Sequence, residues 1–414
     1  MDTLQLIFPS MIIIVLALKL YLNKRQANSV KTHFNTVPAR FSTSIELNAH
    51  QKSGNYTLAK IGLGNIEIIL GSLLAIIFTS GGLIQYLDNQ ISSRLANYPL
   101  TQGIALIISL MFISMLCNLP LSLYSTFNIE ERFGFNHITI KLFILDTIKS
   151  MVLFAVIGIP LLYIVLWLMT IMGSLWWIWV WATFCAFNII LMLAYPTFIA
   201  PIFNKFIPLT NEELRIKINN LLKKCGFQSN GIFVMDGSKR SSHGNAYFTG
   251  IGKTKRIVFF DTLINKLTPN EIEAILAHEL GHFKKKHIIK QIIVSFLISL
   301  MTLFVLSLLI NQPMFYNALG ITIPNNANAL ILFALGLNVV MFPFSPLSSY
   351  LSRKNEFEAD DFAKKYSNKD DLISGLIKLY KENSSTLTPD ELYAKFYYSH
   401  PPASIRIAHL EQTL

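Results

Sequence analysis

Seven separate stretches of about twenty apolar residues run through this chain, and no other feature limits its fold so sharply. They lie approximately from Leu4 to Leu22, Ile61 to Leu87, Gly103 to Tyr124, Met151 to Met172, Leu175 to Tyr195, Ile288 to Ile310 and Ala327 to Leu347. A helix bonds its own backbone N–H and C=O groups, so runs of this length cross a hydrocarbon core roughly 30 Å thick without an unsatisfied peptide group. The composition agrees: 52% of the residues are hydrophobic and 14% charged, against about 25% charged in ordinary soluble domains. That balance excludes disorder. Three scattered cysteines, Cys117, Cys185 and Cys225, exclude a disulfide scaffold and read as packing residues. The fourth and fifth runs are parted only by Gly173 and Ser174, which predicts a tight hairpin, and Trp176, Trp177, Trp179 and Trp181 beside it suit an interfacial belt.

With so few charges, their placement carries information. No basic residue precedes the first run and no small-residue cleavage site follows it, so it reads as a span rather than a removable signal. Lys19, Lys24 and Arg25 cluster at its far end, which predicts an outside N-terminus and, after seven crossings, a cytoplasmic C-terminus. Of the 35 Lys and Arg, 33 then fall on the cytoplasmic side: six between Asn23 and Lys60, three between Phe127 and Ser150, fifteen between Phe198 and Lys290, and nine after Leu351. Arg94 alone occupies an outside loop. The membrane is the inner membrane in a bacterium or the endoplasmic reticulum in a eukaryote. The formal charge of +11 suits contact with anionic lipid, and with no nucleic-acid module beside it we expect no nucleic-acid partner.

The segments divide as 1–200, spans one to five with their loops; 201–287, a first polar part; 288–350, spans six and seven; and 351–414, a second polar part. In the first polar part Leu214, Ile218, Leu221 and Leu222 form one helical stripe. Ile232 to Met235 and Arg256 to Phe260 read as strands, with Asn245 to Phe248 as an edge strand between them in sequence. Thr268-Pro269-Asn270-Glu271 starts a helix, with a hydroxyl cap, proline at the first position and glutamate at the third. That helix carries His278-Glu279-Leu280-Gly281-His282. Spacing of i, i+4 sets both imidazoles on one face to fill two positions of a tetrahedral metal site, and Glu279 stands where it can act as base on a water there. The pattern is moderately specific and needs a third ligand. After the last span, Glu356 and Asp360 of Glu356-Phe357-Glu358-Ala359-Asp360 again share a helical face. Glu356 can be that ligand and Asp360 can accept the second ring N–H of a ligating histidine; a merely solvated acidic face is the commoner meaning of such a run.

Taken together these motifs resemble the CAAX prenyl protease 1 family, integral-membrane zinc endopeptidases of the gluzincin type. The resemblance rests on H-E-L-G-H followed by two spans and E-F-E-A-D, on His243-Gly244-Asn245-Ala246-Tyr247-Phe248 before them, on Ser399-His400-Pro401-Pro402 and Arg406 after them, and on Glu131-Arg132-Phe133-Gly134-Phe135-Asn136. It covers nearly the whole chain. It implies a mainly α polytopic protein whose seven helices enclose an intramembrane cavity, with a cytoplasmic-side zinc metalloprotease domain containing a small β-sheet. It implies one zinc per chain on His278, His282 and Glu356, with Glu279 as general base and acid. By the same likeness Asn245 and Ala246 belong to the edge strand that holds an extended substrate, while His400 and Arg406 lie near the metal. His400 would stabilise the oxyanion, and Arg406 would anchor it or pair with carboxylates. Without the likeness, His400 reads as a surface residue in a Pro-Pro turn.

The implied reaction is metal-assisted hydrolysis of a peptide or protein substrate, cleaved near the C-terminus of a prenylated CAAX-type peptide, with membrane lipid as the second partner and no acyl-enzyme. A broader quality-control protease of membrane proteins is one alternative, and a transporter or channel is the alternative from another class. Glu67, Asn65, Asn118, Asn188 and Asn338 sit within spans, where polar groups are expensive, so they are expected to face protein or a water-filled space. His287 lies about 140° around a continuous helix from His282, in the Lys284-Lys285-Lys286 run, and reads as interfacial rather than ligating. His243 borders the edge strand without a chemical assignment, and His33, His50, His137 and His409 have no partner the sequence identifies.

Overall fold

The computed structural model describes residues 3–249 and 256–412. Seven of its helices are long and apolar enough to cross a membrane: Gln5–Thr32, Leu47–Phe78, Pro99–Glu130, Ile140–Ile171, Gly173–Phe203, His287–Leu309 and Asn326–Tyr366. Most outrun the apolar stretch that marks them, because helix and hydrocarbon need not end together. The first continues past Leu22 through Lys24, Arg25 and Lys31. The seventh carries on into Glu356 and Asp360. The second differs from expectation in register: it starts at Leu47 and stops at Phe78, where Thr79 to Gly82 turn the chain and Gly82, at φ +76°, begins the separate helix Leu83–Ser92. The apolar residues Leu83 and Leu87 therefore belong to a helix packed at the bundle end.

Gly173, at φ +55°, closes the hairpin between spans four and five. The tryptophans beside it are not a uniform belt. Trp176 is buried, Trp177 sets its ring edge against Phe304, and Trp181 Nε1 donates to the Phe296 carbonyl at 2.8 Å. Only Trp179 is largely exposed. Three of the four thus cement the hairpin and span six.

Three of the five polar residues expected to face protein or a water-filled space, Asn65, Glu67 and Asn188, have such surroundings, whereas Asn118 and Asn338 are exposed on the outside of their helices. Asn23 Nδ2 donates to Asn65 Oδ1 at 2.7 Å. Glu67 lines a cavity of about 430 Å³ with Lys60, Asn23, Asn383 and Tyr398, and Asn188 lines one of about 320 Å³ with Gln291 and Ser295. Asn118 bonds the Ser114 carbonyl of its own helix.

The polar segments form one packed unit against the bundle. Four strands, β1 (Phe206–Pro208), β2 (Ile232–Met235), β3 (Ala246–Thr249) and β4 (Arg256–Phe260), make a sheet in the order β1-β2-β4-β3. β2 and β4 are parallel, and β1 and β3 pair antiparallel at the two edges. The expected strands are present; β1 is additional, and with Pro208 as its last residue it carries little strand pattern in sequence. Leu214, Ile218, Leu221 and Leu222 of helix Glu212–Lys224, Phe259 of β4, Leu276 and Leu280 of helix Pro269–Lys284, Phe362 from the end of the seventh helix, and Leu376 and Leu410 from beyond it share one core.

Four of the basic segments meet on the same face of the bundle. Arg25 grips Asp390 through Nε and Nη2 at 3.1 and 2.9 Å, Arg40 pairs with Glu411, Arg240 Nε donates to Asp146 at 2.8 Å, and Lys149 donates to the Ile202 carbonyl. The end of the first helix with the loop after it, the start of the fourth helix, the segment before span six and the segment after span seven therefore lie together.

Candidate metal centre

The centre begins with a capped helix. Thr268 Oγ1 accepts from the Glu271 N–H while Glu271 accepts from the Thr268 N–H, and Pro269 occupies the first turn. Glu271 is buried, and Ser374 at 2.6 Å and Lys378 at 2.7 Å close around its carboxylate. Burial alone would raise its pKa, but the bonds from Lys378, Ser374 and the Thr268 backbone outweigh that and hold it below the ordinary carboxylate value.

Helix Pro269–Lys284 packs against helix Ser345–Tyr366 at Gly281. A Cβ there would stand 2.9 Å from Ala359 Cα and 3.1 Å from the Ala359 carbonyl, so the contact exists because the H-E-L-G-H motif has glycine at this position. The close approach brings Glu356 to the two histidines. Its Oε2 lies 3.4 Å from His278 Nε2 and its Oε1 lies 3.3 Å from His282 Nε2, while the two Nε2 atoms are 3.2 Å apart. One ligand atom from each of the three residues falls within 4.8 Å of the others.

The donor set fits a metal. Glu356 Oε2 is buried without a hydrogen-bond partner, and three atoms with lone pairs converge on one point. Two imidazole nitrogens and a carboxylate leave a fourth tetrahedral position open, the pattern of catalytic rather than structural zinc sites.

Around this point the outer contacts are charged. His278 Nδ1 lies 2.8 Å from Asp360 Oδ1, and Arg406 forks onto Asp360 with Nε and Nη2 both at 2.7 Å. Arg406 Nη2 is also 2.9 Å from His278 Nδ1; a guanidinium only donates, so the two N–H groups converge on the same carboxylate. Burial and Arg406 push the His278 pKa down, but Asp360 and Glu356 outweigh them and raise it. Burial disfavours the charge of Arg406, yet Asp360 raises its pKa overall. Of the two roles open to Arg406, the geometry has carboxylate pairing, with the guanidinium buried behind His278.

His400 stands on the loop before helix Ala403–Glu411, its Nε2 3.4 Å from Glu356 Oε1 and its side chain 62% exposed. It is both a surface residue in a Pro-Pro turn and a neighbour of the centre. Glu279 is half-buried on the same helix as the two histidines. Ala246 opens β3, an edge strand, and Asn245 directly precedes it: Asn245 Oδ1 accepts from the Ala246 N–H at 2.8 Å, and the Asn245 carbonyl accepts from Phe260.

The loop into β3 is braced by the Glu131 to Asn136 motif, whose role the sequence left open. Gly134 turns at φ +76°, the Phe135 ring stacks on His243 at 4.4 Å, the Phe135 carbonyl accepts from the Ser242 N–H, and Asn136 bridges Ser241. Glu130 approaches His243 at 3.6 Å and accepts from Tyr56 at 2.7 Å. No signal in the sequence joins these residues, which are far apart along the chain.

His287 departs from its expected place. It is buried, with Nδ1 3.1 Å from His282 Nδ1 and Nε2 3.2 Å from Glu358 Oε2. The expectation assumed one continuous helix. Instead the helix stops at Lys284, Lys286 adopts a left-handed φ of 57°, and a new helix starts at His287, which turns the ring back toward His282. His137 and His409 also have partners, Ser242 at 2.7 Å and Asp361 at 2.8 Å, and His50 reaches the His33 carbonyl.

Comparison with known proteins gives the family. Residues 26–205 match the family model described as CAAX prenyl protease N-terminal, five membrane helices, and residues 208–414 match peptidase family M48. CAAX prenyl protease 1 of Saccharomyces cerevisiae is 35% identical over 94% of this chain and 91% of its own length. The CAAX prenyl protease 1 homolog of Mus musculus is 32% identical over 94% of this chain and 92% of its own. A crystal structure of S. mikatae Ste24p superposes with a TM-score of 0.91 at 33% identity, covering 99% of each chain.

Proposed function

Because this chain belongs to peptidase family M48, among the CAAX prenyl protease 1 proteins, it is a multi-pass membrane metalloendopeptidase, and we propose that its metal is zinc and its substrates are prenylated CAAX-type peptides cut near their C-terminus. Membership sets aside the transporter reading. The observation that carries the metal assignment is the convergence of His278, His282 and Glu356 within 4.8 Å, with Glu356 Oε2 buried and unbonded.

Zinc, when bound, supplies Lewis-acid polarisation of the scissile carbonyl and lowers the pKa of a water beside it. Glu279 takes the proton from the attacking water and delivers it to the leaving amine. His400, whose Nε2 lies 3.4 Å from Glu356, donates to the oxyanion that develops as the carbonyl is attacked. Asp360 accepts the His278 Nδ1 proton and so presents the Nε2 lone pair inward, and Arg406 holds Asp360 in that orientation. The free side of β3, with Ala246 at its start and Asn245 directly before it, binds the substrate backbone as an added strand. The positive-inside asymmetry assigns the face carrying the centre to the cytoplasm, where the basic loops also meet anionic headgroups.

The test is cleavage of paired peptides of one sequence, farnesylated and unmodified, by purified protein, read by mass spectrometry of the products. A cut on the C-terminal side of the farnesylated cysteine, abolished by chelator and restored by zinc, is expected. Equal cleavage of both peptides would remove the prenyl requirement, and chelator-insensitive cleavage would remove the zinc.

A further inference from the structure

We infer that His287 is a positioning residue for the metal centre, which fixes the tautomer of His282 through a hydrogen-bonded chain from Glu358 to His287 to His282. This rests on the reading of His282 as a ligand.

The chain follows from what each atom can donate. Glu358 Oε2, 3.2 Å from His287 Nε2, can only accept, so it draws the proton of that ring onto Nε2. The neutral imidazole of His287 is then left with a lone pair on Nδ1, which faces His282 Nδ1 at 3.1 Å. Two lone pairs cannot meet there, so His282 carries its proton on Nδ1. Its Nε2 is thereby the bare nitrogen, and that is the atom 3.2 Å from His278 Nε2 and 3.3 Å from Glu356 Oε1.

The two ligand histidines are thus served alike. Asp360 bonds Nδ1 of His278 directly, and Glu358 acts on Nδ1 of His282 with one imidazole between. Both carboxylates, and the ligand Glu356, come from one stretch of a single helix, which gives the second glutamate of E-F-E-A-D a task that helical spacing does not suggest. The backbone is bent to permit it. Lys286 holds a left-handed conformation that a non-glycine residue adopts only at a cost, and that break swings His287 under His282. His287 is 1% exposed, so the contact is not a chance surface encounter.

Zinc affinity of the full-length protein in detergent, measured by chelator competition, tests this, with melting of the metal-free protein as the companion readout. His287→Leu removes the acceptor, and affinity is expected to fall by about 10–100-fold. His287→Asn places an amide oxygen where Nδ1 stands, and affinity is expected to stay within a few-fold of the parent. Metal-free melting should be nearly the same for the two variants. Should His287→Leu fold poorly, Glu358→Ala gives the same reading, with zinc binding weakened and metal-free melting little changed. Parental affinity in His287→Leu or in Glu358→Ala overturns the inference, as does equal loss in the Leu and Asn variants. Glu356→Ala separates this from the ligand assignment beneath it. If that variant loses zinc while His287→Leu does not, only the relay falls; if it keeps zinc, the ligand set itself is wrong.

Discussion

Glu279 is the residue on which the proposed chemistry turns, and its position separates binding from catalysis. It stands beside His278 on the same helix yet outside the cluster of three ligand atoms, half-buried at the centre. A glutamine there keeps size and helix propensity but cannot take a proton. Glu279→Gln should therefore lose about 10²–10⁴-fold in cleavage rate while binding one zinc per chain, checked by peptide turnover beside metal analysis. Retained activity would place the base elsewhere. At this scale the sequence was informative where chemistry requires a fixed spacing: i, i+4 in H-E-L-G-H and between Glu356 and Asp360. It was misleading where a backbone break changes direction. His287 sits only five residues past His282, and the left-handed Lys286 that carries it back has no composition signal, being one lysine in a run of three.

Two elements, helix Pro269–Lys284 and helix Ser345–Tyr366, hold all three proposed ligands, and their separation is set by one missing side chain. Gly281→Ala puts a methyl against Ala359 backbone, where nothing flexible can yield. Overpacking of this kind costs about 1–3 kcal/mol, and the displacement moves Glu356 away from His278 and His282. The expected result is a lower melting temperature together with weakened zinc binding; unchanged affinity would show that the helix contact does not set the ligand distance.

The start of the same helix makes a separable prediction. Glu271 is buried with its pKa depressed, so it stabilises the fold above its unfolded pKa of about 4.3, and the contribution is lost as pH falls through the lower folded value. Glu271→Gln keeps the capping geometry but not the charge facing Lys378. Its melting temperature should fall below the parent's at neutral pH, and the difference should narrow in acid; a constant difference would mean that the charge contributes nothing. The capping box was readable from Thr268 to Glu271, whereas the Ser374 and Lys378 contacts, a hundred residues on, were not.

Across the whole molecule, the lopsided charge distribution and the assembled centre make one argument. Residues of the centre come from before span six, from the end of span seven and from the C-terminal segment, so an even number of crossings must separate the first two. Span counting from apolar length satisfied that requirement even though the second helix was misplaced in register, because hydropathy counts crossings better than it marks ends. The contacts Arg25–Asp390 and Arg240–Asp146 tie the end of span one and the start of span four to the same face. Asn97, exposed in the turn before span three, and Lys369, exposed after span seven, should therefore lie on opposite sides of the membrane. In a protein without Cys117, Cys185 and Cys225, a single cysteine at Asn97 should react with an impermeant maleimide added outside sealed cells, and one at Lys369 only after permeabilisation. The reverse pattern would keep the fold and invert its orientation, placing the metal centre outside the cytoplasm. Labelling of both from one side would break the seven-span topology itself, since the five crossings between these two positions cannot leave them on a common face.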